Sequence, residues 1–504
     1  MAQRSSGVRL TIINDLDGDG VANWVDAAKF IRRRYRGLKP HPLYVEATVY
    51  KIMCDVRPHR LVTTFEECLD IICKIHNLTA GALKQVVYLV GWQHDGHDTG
   101  YPDVSVVNPR LGGYEALMRL KEEAKKFGAI VSFHDNYDDA YVDSHAWDPA
   151  VIAIDRKGSL MKGGVWAGGQ SYILSPVKYL PKALERVRFT IRKYRIEQTY
   201  HIDVLSSIPM RHDFDPKSPH GAAENLKAKL AVVHEFKKFR VDITSEDLTE
   251  PFVGPMTRFW HLHNRAETHF PGERRIPFIV HGHVIYGGGQ ASFGGLKSAL
   301  LYGQTYSVDF TKATPEGVIL DLVYLYDLPL KPLAVRNMER YERGKGMERV
   351  WYDDDTFVEV DWAHDRYRVV VDGREVARNY ATFVKVKPGL VLAYSRDGGR
   401  LTFELPPSLR GREIEVVPLY VDGRGRPIPF RLEGGWISFD AEPRRPYKIS
   451  PRSDSGRKEV REKWPACLAS FRLRLQPPWR GWLSIGDSTR GREGGRSALW
   501  VGRG

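Results

Sequence analysis

Four cysteines in 504 residues are too few for a disulfide scaffold. Cys68 and Cys73 fall on one predicted helix and point in different directions, Cys54 and Cys467 stand alone, and no CxxC occurs. Reduced, structural cysteines are the expectation. No run reaches the roughly 18 apolar residues that would cross a bilayer, so no membrane partner is expected. The first residues, MAQRSSGVRL, lack an apolar h-region. They give no signal peptide, hence a cytoplasmic expectation unless the natural start lies upstream. No GxGxxG opens a helix and no Walker loop appears, which argues against dinucleotide and P-loop nucleotide chemistry.

A basic excess is present, 75 Lys+Arg against 62 Asp+Glu, net +13. More than half of it sits in the Gly/Arg-rich segment 451–504, where twelve basic residues meet five acidic ones with little periodicity. The remainder carries no basic stripe, so nucleic acid is not an expected partner. Hydrophobic content of 42% and aromatic content of 11% fit a soluble globular enzyme, and the length suits two to four domains. Nothing in the pattern fixes an oligomeric state.

Up to about Gly303 the chain alternates strand-like and helix-like segments. Val8 to Ile13 reads as a strand. Thr64 to His76 reads as a helix with a Thr64/Glu67 capping box and an apolar face of Phe65, Cys68, Leu69, Ile72 and Ile75. Strands are expected at Gln85–Trp92, Ala129–Phe133, Thr199–Leu205, Val241–Ser245 and Ile276–His281. Helices are expected at Tyr114–Phe127, Lys182–Tyr194, Ala222–Phe239 and Leu296–Leu301. Repeated strand–helix units imply a parallel sheet, and their number suits a (β/α)8 TIM-like barrel. After about Met347 the pattern becomes two-residue alternation punctuated by DG and GG pairs, as in YRVVVDGREV, which predicts an antiparallel β-sandwich-type domain. The expected division is a catalytic α/β barrel over 1–345, an antiparallel β-domain over 346–450 and a basic tail over 451–504.

The stretch NDLDGDGVANWVD has calcium-loop spacing. With Asp15 at position 1, Asp17, Asp19, Val21, Asn23 and Asp26 fall at positions 3, 5, 7, 9 and 12, and Gly20 at position 6. Asp stands where an EF-hand has Glu. Three alternating carboxylates would repel one another in a bare turn, so a structural Ca2+ is expected there, against the plainer reading of an acidic turn capping the following helix.

In a barrel, chemistry collects where strands end. After Gln85–Trp92 comes QHDGHDTGYPD, and after Ala129–Phe133 comes HDNYDDAY. Asp203 falls among the last residues of the next strand, Glu246 follows Val241–Thr244, and FWHLH and HGH come later. Such a succession reads as the lining of one pocket. Two chemistries could use it. Glycoside hydrolysis needs two carboxyls about 5–5.5 Å apart for retention or roughly 6.5–9.5 Å for inversion. Asp203 and Glu246 sit on consecutive predicted strands, and neighbouring strands lie about 4.8 Å apart. Strand alternation sends His201 the same way as Asp203 and Tyr200 away. Metal-dependent hydrolysis could instead use His261 and His263, or His281 and His283, with His94, His97 and Asp135. A non-catalytic carbohydrate-binding protein on the same barrel is a third reading, against which the presence of both carboxyls argues.

GWQHDGHDTGYPD, FHDNYDDAY, LMKGGVWAGGQSY, YHIDVLSS and TSEDLTEPFVG together resemble the catalytic barrel of endo-α-N-acetylgalactosaminidase-like glycoside hydrolases, families 101 and 129 and their uncharacterised bacterial and archaeal relatives. The resemblance covers roughly residues 8–300. It implies a retaining glycosidase acting on α-linked galactose-type or N-acetylgalactosamine-type glycosides. Asp203 would be the nucleophile and Glu246 the general acid/base. His97 and Asp98 would bind sugar hydroxyls, and VWAGG around Trp166 would be a substrate-covering loop. Trp92, His134, Asp135, Gln170, Trp260 and His281, at strand ends or within these motifs, complete the expected substrate-binding set.

Overall fold

The computed structural model describes residues 10–16, 18–57, 60–61, 63–207, 210–262, 275–288 and 295–452. Parallel strands form one sheet: β1 (Ala47–Met53), β2 (Lys84–Val90), β3 (Ala129–Asn136), β4 (Thr199–Asp203), β5 (Asp242–Asp247), β6 (Arg258–His261) and β7 (Ile285–Gly288). The last position, β8, is split into Thr305–Tyr306 and Asp309–Phe310. Its first piece pairs with β7 and its second with β1, and Lys51 N donates to Val308 O between them at 3.1 Å. The two halves of one stretch thus close the ring, giving the expected (β/α)8 barrel.

β1 and β2 are mostly apolar and buried, as strands covered on both faces require, whereas β4 and β5 carry more polar residues. The crossover helices show their sequence signals. Phe65–Leu78 starts at Thr64, whose Oγ1 accepts from Glu67 N at 3.2 Å while Glu67 Oε2 accepts from Thr64 N at 2.8 Å. Such a cap is worth about 1 kcal/mol. Phe65, Cys68, Leu69, Ile72 and Ile75 are buried against the sheet. Gly113–Lys125, Pro176–Tyr194 and Ala222–Lys238 cover the next strands.

A ten-stranded, mainly antiparallel sheet begins at Met338, and a three-stranded sheet (Gly399–Glu404, Arg431–Glu433, Trp436–Ala441) packs on part of it. Alternation divides the two interfaces. Ala381, Phe383, Val391 and Ala393 face the small sheet with Phe403 and Phe439, whereas Val384, Leu392 and Tyr394 join the barrel's core. Thr382 Oγ1 donates to Tyr324 O at 2.6 Å, and the Tyr324 and Tyr394 rings stack with centroids 5.0 Å apart.

Three expectations are corrected. Within Val8–Ile13, the described residues form no strand. Leu10 and Ile12 are almost fully exposed, with nothing to bury their apolar faces. The barrel starts instead at ATVYKIM. Ile276–His281 is not a strand, because a helix spans Arg275–Val280 with Pro277 in its first turn, where a missing N–H costs nothing. Finally, Cys54 and Cys68 are free, buried thiols but Cys73 is disulfide-bonded, so the cysteines are not all reduced.

Candidate active site

A cavity of about 370 Å³ opens at the C-terminal ends of the strands. Lys51 and Met53 enter it from β1, His134 from β3, Asp203 from the end of β4, Glu246 from β5 and Asp309 from β8. The loop after β2 supplies His97 and Asp98, and Asp139 follows β3. Trp166 comes from a hairpin, Lys162–Trp166 and Gly169–Ile173. That hairpin explains its glycines. A Cβ on Gly168 would lie 2.1 Å from Asp98 O, so the turn can seat on the Asp98 backbone only without a side chain, and Gly169 has φ +91°. Trp166 is 53% exposed, so it is not a core residue.

Thr244 pairs with His201 across β5 and β4, and Glu246 and Asp203 lie two residues further along the same strands. Both side chains therefore leave on the inner side, and their carboxyls are hydrogen-bonded to each other. His134 Nε2 lies 3.7 Å from Asp203 Oδ1. Lys51 Nζ lies 3.6 Å from Glu246 Oε1 and 4.4 Å from the centre of the Trp260 ring.

Burial and the charge of Glu246 push Asp203 well above the usual carboxylate range. Burial, the largest single influence, would also raise Glu246, but the Lys51 ammonium, the hydrogen bond with Asp203 and His261 together outweigh it and hold Glu246 low. Of the two carboxyls, Asp203 is therefore the one that holds a proton more readily while the cavity is empty. Burial, then Glu246, raises Asp98 to about 7, and burial, then Asp138, raises Asp139 to about 6. Burial, reinforced by Lys51, lowers His97 to about 4 and His134 well below its normal range, so both rings are neutral at pH 7.

Of the expected substrate-binding residues, His97, Asp98, His134 and Trp166 line the cavity. The others do not. Trp92 is fully buried outside the ring, stacked on Phe133 at 4.1 Å with Nε1 donating to His134 O. Asp135 follows His134 and so points outward, where it pairs with Arg186 and accepts from Tyr200 OH at 2.7 Å. Gln170 spends its amide on the carbonyls of Gly163, Gly164 and Ser171, holding the hairpin together. Trp260 lies beneath the cavity as the platform under Lys51. His281 packs on Tyr352 and hydrogen-bonds Arg336 O at 2.7 Å, in the interface with the β-domain.

Sequence reasoning missed Lys51, Asp139 and Asp309. Lys51 had a signal: a lysine inside an apolar strand is almost never buried without a partner.

The metal-ligand pairs anticipated from spacing do not assemble. His283 hydrogen-bonds Leu38 O, His281 is accounted for above, and His263 lies outside the described residues. The one histidine–carboxylate cluster of ligand-like geometry among the described residues is His134, His201 and Glu246. Lys51, beside Glu246, opposes a cation there. In the acidic loop, Asp17 lies outside the described residues. Asp15 accepts from Gly18 N and Gly20 N, Asp19 from Val21 N, and Asp26 from Leu16 N and Asn23 N. Asn23 caps the helix Trp24–Arg32 in a capping box with Asp26, and its Nδ2 donates to Val21 O.

Residues 42–202 match a family model described as endo-alpha-N-acetylgalactosaminidase. The resemblance to family-101 glycoside hydrolases is confined to that stretch, less than half of the chain. The match runs from β1 into β4 and stops one residue before Asp203. Among solved structures, alpha-N-acetylgalactosaminidase NagBb from Bifidobacterium bifidum in its GalNAc complex is similar with a TM-score of 0.59 at 18% identity, over 70% of this chain and 64% of that one. The ligand-free form gives 0.58 at 18% identity, over 69% and 64%. At that identity the likeness shows the fold, a barrel followed by a β-domain. The chain spans just under two thirds of the length of these structures.

Proposed function

We propose that the protein is a retaining glycoside hydrolase that cleaves α-linked galactose-type or N-acetylgalactosamine-type glycosides. The observation that carries this reading is the hydrogen-bonded Asp203–Glu246 pair at the C-terminal mouth of the barrel. A pair this close supports double displacement rather than inversion, in which a water must fit between the carboxyls. The family match over β1–β4 supports the substrate class.

In this mechanism Asp203 is ionised and Glu246 carries the proton once the substrate has entered. The Asp203 carboxylate attacks the anomeric carbon. The glycosidic C–O bond breaks, and the leaving oxygen takes the proton of Glu246. Asp203 is now an ester without charge, so the electrostatic pressure on Glu246 drops and Lys51 stabilises its carboxylate. Water attacks the anomeric carbon, gives its proton to Glu246, and the ester bond breaks to restore Asp203. His97 and Asp98 hold sugar hydroxyls, and Trp166 covers the sugar. The neutral imidazoles of His97 and His134 donate and accept without adding charge.

The test is a panel of nitrophenyl α-glycosides of galactose, N-acetylgalactosamine and glucose, with and without a zinc-selective chelator. Turnover of a galacto-configured member, unaffected by chelation, is the expected result. Turnover that vanishes with removal of stoichiometric zinc would replace this reading with a metal-dependent hydrolase built on His134, His201 and Glu246, the alternative their clustering supports. A structural Ca2+ at Asp15, Asp17, Asp19, Val21, Asn23 and Asp26 belongs to the same proposal. Two of its supports are the ligand spacing and the two backbone N–H groups folded onto Asp15.

A further inference from the structure

Behind the Trp166 hairpin lies a second chamber, of about 140 Å³. It shares Asp139, Trp166 and Val204 with the catalytic cavity as a common wall, and Ser207, Met210, Arg211, Asn225 and Lys229 line its far side.

The two spaces differ in charge. Five carboxyl side chains (Asp98, Asp139, Asp203, Glu246 and Asp309) and one ammonium, Lys51, line the catalytic cavity. In the second chamber Arg211 and Lys229 converge on the buried carboxylate of Asp138, with Lys229 Nζ at 3.0 Å from Oδ1 and Arg211 Nη1 on Oδ2. Two cations here face Asp138 and the Asp139 carboxyl of the shared wall, so this chamber lacks the excess of carboxyls that lines the catalytic cavity. The Asp138 contact pins the Arg211 guanidinium while its side chain stays 47% exposed.

A second feature points to a ligand. Asn225 is 2% exposed, and its Nδ2 donates to Arg211 O at 2.7 Å. Among the described residues its side-chain carbonyl Oδ1 is buried without a hydrogen-bond partner. An acceptor buried without a donor is unfavourable, and a sugar hydroxyl would supply one.

We propose that the second chamber is the subsite for the unit adjoining the cleaved bond, and that this unit carries an anion, a carboxylate or a sulfate ester. The anion sits on Arg211, a hydroxyl donates to Asn225 Oδ1, and the exposed Trp166 ring lies between the two sugar units. The proposal rests on the glycosidase reading above.

The experiment compares three disaccharides with the glycone that the nitrophenyl panel selects, linked to galactose, to galacturonate or to 6-sulfogalactose. The readout is the ratio of kcat/KM for each acidic substrate to that for the neutral one. The expected preference is about tenfold, the effect of one charge-assisted hydrogen bond. Whichever acidic arm is larger identifies the anion. Arg211→Ala should erase the preference, Arg211→Lys should retain part of it, and Asn225→Ala should lower all three substrates together and keep the ratio. Equal kcat/KM for neutral and acidic substrates, or a preference that survives Arg211→Ala, would overturn the proposal. Should Arg211→Ala fold poorly, Arg211→Gln serves in its place. If no glycoside is turned over, the glycosidase reading has failed on its own. The chamber is then tested by quenching of tryptophan fluorescence with galacturonate and galactose 6-sulfate alone. Saturable binding lost in Arg211→Ala upholds it, and no binding refutes it.

Discussion

His134 and Asp135 are neighbours in the chain and occupy two different kinds of interior. His134 points into the barrel, lines the cavity and faces Asp203. Asp135 points outward into a closed network with Arg186 and Tyr200, whose ring stacks on Phe236. Burial raises Asp135 too, but Arg186 and Tyr200 oppose it and leave its carboxylate paired. Burial raises Asp203 as well, and there the next-largest influence is a second carboxylate, Glu246, which adds to the rise. Both regions are largely buried and polar. What separates them is whether each charge meets an opposite charge or a like one. Paired, a buried carboxylate fixes the fold; crowded against another acid beside open space, it is set up for proton transfer.

Substitutions sharpen this contrast, the largest effect first. Asp203→Ala should abolish turnover on every substrate, by roughly 10⁴–10⁶-fold, as removal of a nucleophile does elsewhere, with little change in melting temperature. Residual activity above that on activated glycosides would remove it from the nucleophile role. Glu246→Ala should cost about 10²–10⁴-fold on substrates with poor leaving groups and far less in the first step with a nitrophenolate. Azide should restore turnover and give a glycosyl azide of the substrate's own α configuration.

On the outer side the consequence reverses. Asp135→Ala leaves Arg186 as an uncompensated buried cation and should cost about 3–5 kcal/mol of stability, read as a lowered denaturation midpoint. The variant that remains folded should keep its kcat. A large loss of kcat in fully folded protein would place Asp135 in the site after all.

Lys51→Met should change the pH profile more than the rate at its optimum. Lys51 holds both Asp203 and Glu246 below where they would otherwise titrate. Its removal raises both, so both limbs of kcat/KM against pH should move to higher pH, by about 1–3 units. Lys51→Arg should move them little. A profile that stays in place would break the link between Lys51 and the pair. The smallest effect concerns the acidic loop. At 100 times Kd a bound ion adds about 2.7 kcal/mol, so EDTA should lower the melting temperature, and Asp17→Ala with Asp19→Ala should remove that sensitivity. Unchanged melting with no metal by elemental analysis would leave the loop as a helix cap.

The crossover helices and most strands were legible because a barrel strand is a short apolar run and its helix an amphipathic one. Asp203, Glu246, His97 and Asp98 were legible because polar residues following such runs converge at one end of the ring. Other features were not. The run before the acidic loop drew the first strand upstream, although its two described apolar residues, Leu10 and Ile12, have nothing to pack on. ATVYKIM is a weak strand signal because Lys51 interrupts its apolar run. Asp135 follows from strand alternation, because of two consecutive strand residues only one, His134, faces the cavity; Trp92 lies past the end of β2, where Gly91 with φ +71° breaks the alternation. His281 followed from reading IPFIVH as a strand when Pro277 opens a helix. Asp309 belongs to a strand broken into two-residue pieces, too short for any periodicity to reveal.

The central claim is that the inner carboxyl pair performs double displacement. Proton NMR of the first sugar released by the unmutated protein from a nitrophenyl α-galactoside or α-N-acetylgalactosaminide tests it most directly. An α anomer appearing first, with the β form growing in only by mutarotation, is the predicted result. A β anomer appearing first would mean single displacement by water, and would contradict the roles given to Asp203 and Glu246.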